Sequence, residues 1–434
     1  MNIAPVSRAA RLVLLAAAGL MNFTCAVVGQ LPPNPAASIE TGGKLPVISI
    51  YDENDPTAPC DLVAILPPGF SGEVTHLDLR GDYVTLTFSS GQILQIPISD
   101  FHVDCENSAR SHRPAATPSP TPTPVQPIAV STSSDADEFA VSCDGHYAVV
   151  TGFSDSGKPV SLVDLQAHQE VSTISLSNQE GHGAAVGDDG QTVIVSFNDL
   201  PPAASGNVRR FVLQNGTLTD SGVQLAFDNS FVKDVRIAPG SHIGVAAVSE
   251  NQGVGNTLLY SFDFPGLTIR DSVIIAGQTI ETCPAFNCAG DRIYVRTGVG
   301  FGSDVIQGFD FDPATGMFNH MAFLTINNLS PTSTSSFGST LTVSSDDTLL
   351  IAPEENQNRV SQFDAVTGNL VSTFTRADLT APQGVATIPC CAVSPTPTAT
   401  PSATATPTPT PCTGRCSPTP RPRPTPRARP TPRG

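Results

Sequence analysis

The sequence predicts an all-β fold: a β-propeller of four-stranded blades, with five full repeats plus a closing strand, preceded by a small β-rich domain and followed by a disordered Pro/Thr/Arg tail. Three observations carry this reading. A unit of about 45 to 55 residues recurs five times between Phe139 and Phe374, a spacing that marks solenoids, propellers and arrays. Each unit opens with an apolar strand that turns at a Gly or Asp pair: Asp144-Gly145, Asp189-Gly190, Pro239-Gly240, Gly290-Asp291 and Asp346-Asp347. A later strand ends in an aliphatic or aromatic residue followed by Asp, at Val163-Asp164, Phe262-Asp263, Phe309-Asp310 and Phe363-Asp364; the second unit has Phe211-Val212 and lacks the acid. No 3.6-residue periodicity runs through these units, which excludes a helical array.

Taken in chain order, residues 1–29 read as a secretory signal, with Arg8 and Arg11 before the apolar run Leu12 to Met21 and small residues after it. That run is too short to span a bilayer, so the mature chain is expected to be exported without a transmembrane anchor. Cys25 offers lipidation as an alternative, against which Asn22, Phe23 and Thr24 stand as poor preceding residues. Residues 30–45 are rich in Pro, Gly and small side chains and are expected to lack order. Residues 46–112 are expected to form the small β domain, with strands in PVISIYD, CDLVAIL, VTHLDL, YVTLTF and QILQIPI. Alternation in the last two, around Ser89-Ser90-Gly91, predicts a hairpin with one buried face. Residues 113–127 are Pro/Thr-rich and predict an extended spacer between two bodies.

Residues 128–393 hold the repeats. In the first, FAVS, DGHYAVVTG, PVSLVDLQ and EVSTISL supply four strands, the number in a propeller blade. GVATIP, residues 384–389, repeats the opening strand once more and implies a ring closed by pairing chain ends. Its partner stays open at this stage. Residues 73–98 resemble half a blade and offer one way to complete the ring, against a free-standing N-terminal domain. The tail, residues 394–434, is Thr-Pro and then Arg-Pro sequence that cannot bury an apolar core.

Nine cysteines follow Cys25, as suits an oxidising compartment. The expected bridges are Cys60 with Cys105, Cys283 with Cys288, and Cys143 with Cys390; Cys391, Cys412 and Cys416 have no assigned partners. No cysteine or histidine spacing fits a zinc site, so no metal and no cofactor is expected. The net charge is -17; the six Arg after residue 411 have no acid among them, which leaves -23 on the remainder. Such an acidic body excludes nucleic acid as the expected partner and leaves a protein or an envelope polysaccharide.

At CDGHYAVVTG, residues 143–152, and AGDRIYVRTG, residues 289–298, the chain resembles the YVTN-type repeats of lactonase-like β-propellers. SLVDL at Ser161 to Leu165 and QFDAVTGNLVSTF at Gln362 to Phe374 match the strand that follows in those repeats. The Pro that precedes Asp-Gly in the family is replaced here by Cys143 or Asp188. That resemblance implies a fold over residues 128–393 more firmly than a reaction, because its members include lactone hydrolases, dehydrogenase subunits and surface proteins of no known activity.

Residues placed just before the inner strands are expected to gather at one mouth of a central channel: Asp137, Glu138, His182, Lys233, Asp234 and Glu281. Such a mixed ring suits a small polar ligand, a divalent cation or an acid/base pair, with ordinary solvated loop residues as the more common occupants of such places. Catalytic residues are not assigned: no G-x-S-x-G elbow, Walker loop or dinucleotide fingerprint is present. The expected function is therefore that of an exported binding or scaffold propeller of the cell envelope or extracellular space. A lactonase-like hydrolase or periplasmic dehydrogenase component is the alternative.

Overall fold

The computed structural model describes residues 31, 35–40, 47–52, 61–66, 74–104, 127–134, 136, 138–152, 157–200, 205–250, 256–264, 266–275, 282–298, 303–330, 340–375 and 382–389. The chain opens with β1 (Pro35–Glu40), β2 (Val47–Asp52) and β3 (Asp61–Ile65), then β4 (Val74–Arg80), β5 (Tyr83–Phe88) and β6 (Gln92–Pro97). It continues through β7 (His102–Asp104), β8 (Ile128–Ser131), β9 (Glu138–Val141), β10 (Tyr147–Thr151), β11 (Val160–Asp164) and β12 (Gln169–Ile174). Next come β13 (Gln179–Val186), β14 (Thr192–Asp199), β15 (Gly206–Gln214), β16 (Thr217–Phe227), β17 (Ser230–Ile237), β18 (Ile243–Ser249), β19 (Thr257–Asp263) and β20 (Thr268–Ile275). The last are β21 (Thr282–Phe286), β22 (Arg292–Thr297), β23 (Asp304–Asp312), β24 (Met317–Phe318), β25 (Leu324–Leu329), β26 (Thr342–Val343), β27 (Leu349–Glu354), β28 (Arg359–Asp364), β29 (Leu370–Phe374) and β30 (Pro382–Thr387).

Among the described residues these strands form seven antiparallel sheets, the blades of one propeller. Blade 1 has the order β30-β1-β2-β3-β7 and blade 2 the order β4-β5-β6-β8. Blades 3, 4 and 5 take four consecutive strands each, β9 to β12, β13 to β16 and β17 to β20. Blade 6 is built from β21 to β25 and blade 7 from β26 to β29.

Three expectations change here. The ring has seven blades, not five repeats and a closing strand, because the N-terminal segment supplies most of two more. That segment is not a separate small domain: β1 pairs with β30, Ala36 opposite Thr387 and Ser38 opposite Val385. Pro35–Glu40, within the stretch expected to lack order, is this closing partner. Nor does the Pro/Thr-rich segment separate two bodies. It runs between β7, on the edge of blade 1 against β3, and β8, on the edge of blade 2 against β6. The secretory segment and the tail fall outside the described residues.

Period-2 alternation explains why the sheets pack face to face. Each inner or second strand sends alternate side chains to its two neighbouring blades, and seven apolar clusters result. In β1, Ala37 and Ile39 face the cluster shared with Leu77 and Leu79 of blade 2, while Ala36 joins the cluster with Leu349 and Ile351 of blade 7. In β14, Val193 and Val195 pack on Val149 and Leu162 of blade 3, and Ile194 on Ala246 and Val248 of blade 5. In β22, Ile293 and Val295 meet Val245 and Ala247, and Tyr294 meets Leu350 and Ala352. Phe139, Ala148 and Val150 close the interface with Ile93 and Val130 of blade 2.

Both repeat landmarks are turns at one end of the strands. Gly145, Gly190, Gly240 and Gly290 have φ between +64° and +69°, and Asp347 takes the same left-handed conformation at +63°. The Asp of the second landmark binds backbone amides of the following turn: Asp164 Oδ1 accepts from Gln166 and Ala167 at 3.0 and 2.8 Å, and Asp364 Oδ1 from Val366 and Thr367 at 3.0 and 2.7 Å. Blade 4 lacks the acid because its β15–β16 hairpin turns through Asn215-Gly216, both at positive φ, where no side-chain acceptor is needed. A buried charge is accommodated between blades 6 and 7. Arg296 gives Nε to Asp304 Oδ2 and its other nitrogens to the carbonyls of Ser330, Thr340 and Pro353, all at 2.9 Å.

At the seam, Tyr51 of blade 1 stacks on Phe374 of blade 7, with ring centroids 4.2 Å apart and planes 9° apart. Both rings are 1 % exposed. Phe374→Ala is expected to lower unfolding free energy by about 3 to 5 kcal/mol through lost transfer energy and cavity formation. Val371→Ala, on the exposed neighbouring position of the same strand, is expected to stay within about 0.5 kcal/mol. Urea midpoints of the two variants check both values.

Candidate functional site

The innermost strands of the blades, β4, β9, β13, β17, β21, β26 and β30, surround a central channel. A cavity of about 270 Å³ occupies the end of this channel where those strands finish. Their final residues, Arg80, Val141, Val186, Ile237, Phe286, Val343 and Thr387, all line it. Ala140, Ala185, Ala285 and Ala386 contribute a ring of small side chains, with Arg236 and Thr342 at the corresponding places in blades 5 and 7. The wall is uneven, with blades 3 and 4 adding only Phe139, Ala140, Val141, Ala184, Ala185 and Val186. His76, Asp78 and Arg80 of blade 2 and Arg236 of blade 5 supply its charged groups, whereas blades 6, 7 and 1 present mainly Pro284, Phe286, Leu341, Val343 and Val385.

Bulges in the inner strands aim the polar residues. In β4 the register slips between Val74 and His76, in β13 between Gly181 and Ala184, and in β17 between Val232 and Asp234. An extra residue on one strand twists it locally and re-aims its side chains, a common device beside binding sites. After its bulge, β4 carries His76, Asp78 and Arg80 on one face and Leu77 and Leu79 on the other, in the blade 1–2 core.

A buried network backs this wall. Glu138, the first residue of β9, lies 2.7 Å from His76 Nδ1 and 3.4 Å from Arg236 Nη2. Arg236 Nη1 donates to Asp234 Oδ1 at 2.7 Å and to the Val235 carbonyl at 3.1 Å. Blades 2, 3 and 5 are thus linked across blade 4. Asp234 Oδ1 also accepts from the Val235 amide at 2.7 Å, and its Oδ2 has no partner among the described residues. Gly183 of blade 4 makes room for this arrangement: a Cβ there would come within 2.5 Å of Asp234 Oδ1 and 2.6 Å of the Val235 nitrogen. Arg80 completes the wall by donating to the carbonyls of Val141, at 3.1 Å, and Ser142.

Burial acts on both acids, and the neighbours decide the outcome. It works to raise the Glu138 carboxyl, but Arg236 and His76 outweigh it and hold this acid below its ordinary value. In Asp234 burial prevails over Arg236, the Glu138 charge adds to it, and the carboxyl is pushed well above the ordinary value. The two acids are thus shifted in opposite directions, with Arg236 between them.

Of the residues expected at the channel mouth, Glu138 and Asp234 do belong together. His182 and Lys233 stand inside β13 and β17, at the bulges, and not before the strands as expected; Asp234 too is inside its strand. His182 Nε2 is 3.7 Å from Glu180 Oε2, and burial with the Lys233 charge pushes its imidazole down to about 3. Burial raises Glu180, with Lys233 opposing. Asp137 and Glu281 lie outside the described residues. So do Cys60, Cys105, Cys390 and the side chain of Cys283, so the pairing of none of the three expected bridges is described, although Cys143 and Cys288 are each disulfide-bonded. Cys143 Sγ is 3.4 Å from Asp188 Oδ1, and Cys288 Sγ 3.3 Å from the Ser345 carbonyl. His76, Arg80 and Arg236 were not anticipated. Their signal was the alternation His-x-Asp-x-Arg in VTHLDLR and Asp-x-Arg in KDVRI, polar residues at every second place of otherwise apolar strands. Among the described residues no group of three or more His, Cys, Asp or Glu could hold a metal ion, and no helix is long and apolar enough to cross a membrane.

Solved structures sharing this architecture include a functionally unknown protein from Desulfotomaculum acetoxidans, 16% identical at a TM-score of 0.58, covering 82% of this chain and 98% of that one. A candidate 6-phosphogluconolactonase from Bacteroides uniformis matches at 14% identity and a TM-score of 0.59, over 82% and 99% of the two chains. The fold is that of the lactonase-like β-propellers. Hydrazine synthase from Kuenenia stuttgartiensis also matches, at 12% identity and a TM-score of 0.54, over 80% and 100%. No known family profile and no curated protein matches the sequence. At these identities the lactonase-like likeness extends to the fold alone, and its chemistry has to be argued from the channel.

Two predictions follow from the opposed acids. Glu138→Gln leaves Arg236 facing a neutral partner and is expected to cost about 3 kcal/mol, the low end for a broken buried pair because Arg236 is one-fifth exposed. Unfolding at pH 7 measures it. For Asp234 the folded protein holds the proton more tightly than the unfolded chain. Stability therefore falls from about pH 4 upward, until the folded carboxyl also ionises. Asp234→Asn removes that fall, so its stability relative to the parent protein is expected to increase with pH between about 4 and 8, read from urea midpoints across the range.

Proposed function

We propose that this protein is a binding propeller exported to the cell envelope or extracellular space, and that the channel cavity is its recognition site. The observation that carries this reading is the uneven wall. His76, Arg80 and Arg236 present nitrogen donors to the cavity from two blades; the acids that orient His76 and Arg236, Glu138 and Asp234, are only 4 % and 3 % exposed behind them, and Arg80 is held by Asp78 and the Val141 and Ser142 carbonyls. Such prior pairing reduces the ordering cost of taking up a ligand, the usual advantage of a preformed site. The apolar run before Cys25 supports export, and the acidic body supports a protein or envelope polysaccharide as the larger partner rather than nucleic acid.

A second reading is a lactonase-like hydrolase. Its support is the fold shared with the candidate 6-phosphogluconolactonase and the buried Asp234 carboxyl, pushed above its ordinary value by burial, beside the Arg236 guanidinium.

The test is a thermal-shift titration of the purified full chain with envelope extracts, run beside a lactone panel that includes 6-phosphogluconolactone. The binding reading expects stabilisation of the parent protein, reduced in Arg80→Ala, and no turnover. Turnover abolished by His76→Ala or Asp234→Asn would replace it with the hydrolase reading. No stabilisation by any fraction would remove the channel as a recognition site.

A further inference from the structure

Resting on the channel as the recognition site, we infer that its ligand is a small amphipathic anion: a carboxylate or phosphate head against the Arg236–Arg80 side and an apolar body against the Phe286–Val343 side.

The division of the cavity wall is the first ground. The charged groups all come from blades 2 and 5, while blades 6, 7 and 1 meet the cavity mainly with hydrocarbon, the hydroxyls of Thr342 and Thr387 lying 3.0 Å apart and paired with each other. A uniformly polar ligand would leave its groups unpaired against Phe286 and Val343, and a purely apolar one would strip water from two guanidinium groups without replacing it. Only a ligand with both characters satisfies both halves.

Depth is the second ground, and it sets the sign of the head group. Arg236, Arg80 and His76 keep 20, 16 and 16 % of their side-chain surface exposed. Glu138 and Asp234 lie behind the first of these, and of the acids only Asp78 reaches the lining, at 12 % exposed and 3.4 Å from Arg80. The positive ends of Arg236 and His76 thus face the cavity with Glu138 and Asp234 behind them, while Asp78 shares the lining with Arg80. A guanidinium accepts a carboxylate or phosphate through two parallel N–H bonds, a match that an ammonium or hydroxyl head cannot make.

Size is the third. A volume of about 270 Å³ is at the lower edge of ordinary small-molecule pockets, roughly 300 to 1,000 Å³, so the body is short. An eight-carbon chain or one aromatic ring suits it better than a membrane lipid.

The experiment is isothermal titration of the full chain with four probes of one chain length: octanoate, octyl phosphate, octan-1-ol and octylammonium. Octanoate or octyl phosphate is expected to bind at least tenfold tighter than octan-1-ol, with octylammonium weakest; the tighter of the two anions names the head group. Arg236→Gln is expected to lose that tenfold preference while leaving octan-1-ol unchanged, and Phe286→Ala to weaken both. The comparison of the four probes on the parent protein stands even if Arg236→Gln fails to fold. Equal affinity for all four, or preference for the amine, would overturn the anion assignment while leaving the channel as a binding site. If no probe binds but an envelope fraction still stabilises the protein, the inference fails and the proposed function survives. If nothing binds, both fail.

Discussion

Everything in this molecule depends on one backbone pairing between the two ends of the folded chain. β1 and β30 lie about 350 residues apart in the sequence, and bringing them together carries a loop-closure cost that grows slowly with length. Their ladder makes blade 1 from both ends and so converts an open row of sheets into a ring. Without it two of the seven apolar interfaces, those holding Ala36 with Leu349 and Ala37 with Leu77, would lose a wall. The channel would lose its seventh inner strand, and with it Val385, Ala386 and Thr387 from the cavity lining.

The polar wall is a local exception to the rule that builds the ring. Most inner-strand residues alternate between two neighbouring apolar cores, so a charge at such a place needs company. Glu138, Asp234, Arg236 and His76 supply it to one another from three blades. The bulges in β4, β13 and β17 and the missing side chain of Gly183 are what bring them within reach. Arg296 and Asp304 solve the same problem differently. They sit in second and third strands of one blade, with both terminal nitrogens of Arg296 donating to backbone carbonyls, and they serve the packing of blades 6 and 7. The two clusters show how accessibility separates a structural ion pair from a recognition surface: Arg296 is 2 % exposed and Arg236 is 20 %.

Fold class and blade size were legible in the sequence because they rest on local signals. Gly145, Gly190, Gly240 and Gly290 mark turns that need a positive φ, and Asp164 and Asp364 mark turns whose amides need an acceptor. Blade number was not legible, because blade 1 lacks those punctuation marks and blade 2 carries only the first of them. The first turn of blade 2 is Gly81-Asp82, its outer strand arrives only after the Pro/Thr-rich segment, and blade 1 is assembled from distant pieces. The cavity itself was not legible on the same terms: none of the described residues expected at its mouth lines it, and Glu138 and Asp234 stand only in the network behind it. Glu138 and Asp234 were reached from their position in the repeat. Arg236 and His76 were missed, the first because an alternating arginine reads as the solvated face of a strand, the second because its segment stood outside the inferred ring. His182, suggestive for its flanking glycines, owes those glycines to crowding: Gly183 is pressed against Asp234, and Gly181 against the Pro159 carbonyl.

The route of the chain between β7 and β8 has a topological consequence. β7 borders blade 1 and β8 borders blade 2, so residues 105–126 join two perimeter strands of a closed circle. A protease cutting within that stretch would sever one covalent bond without releasing either fragment, since the shorter piece is clasped by β30 on one side and by β8 on the other. Two polypeptides would remain interlocked as one body, distinguishable from the intact protein only once unfolded.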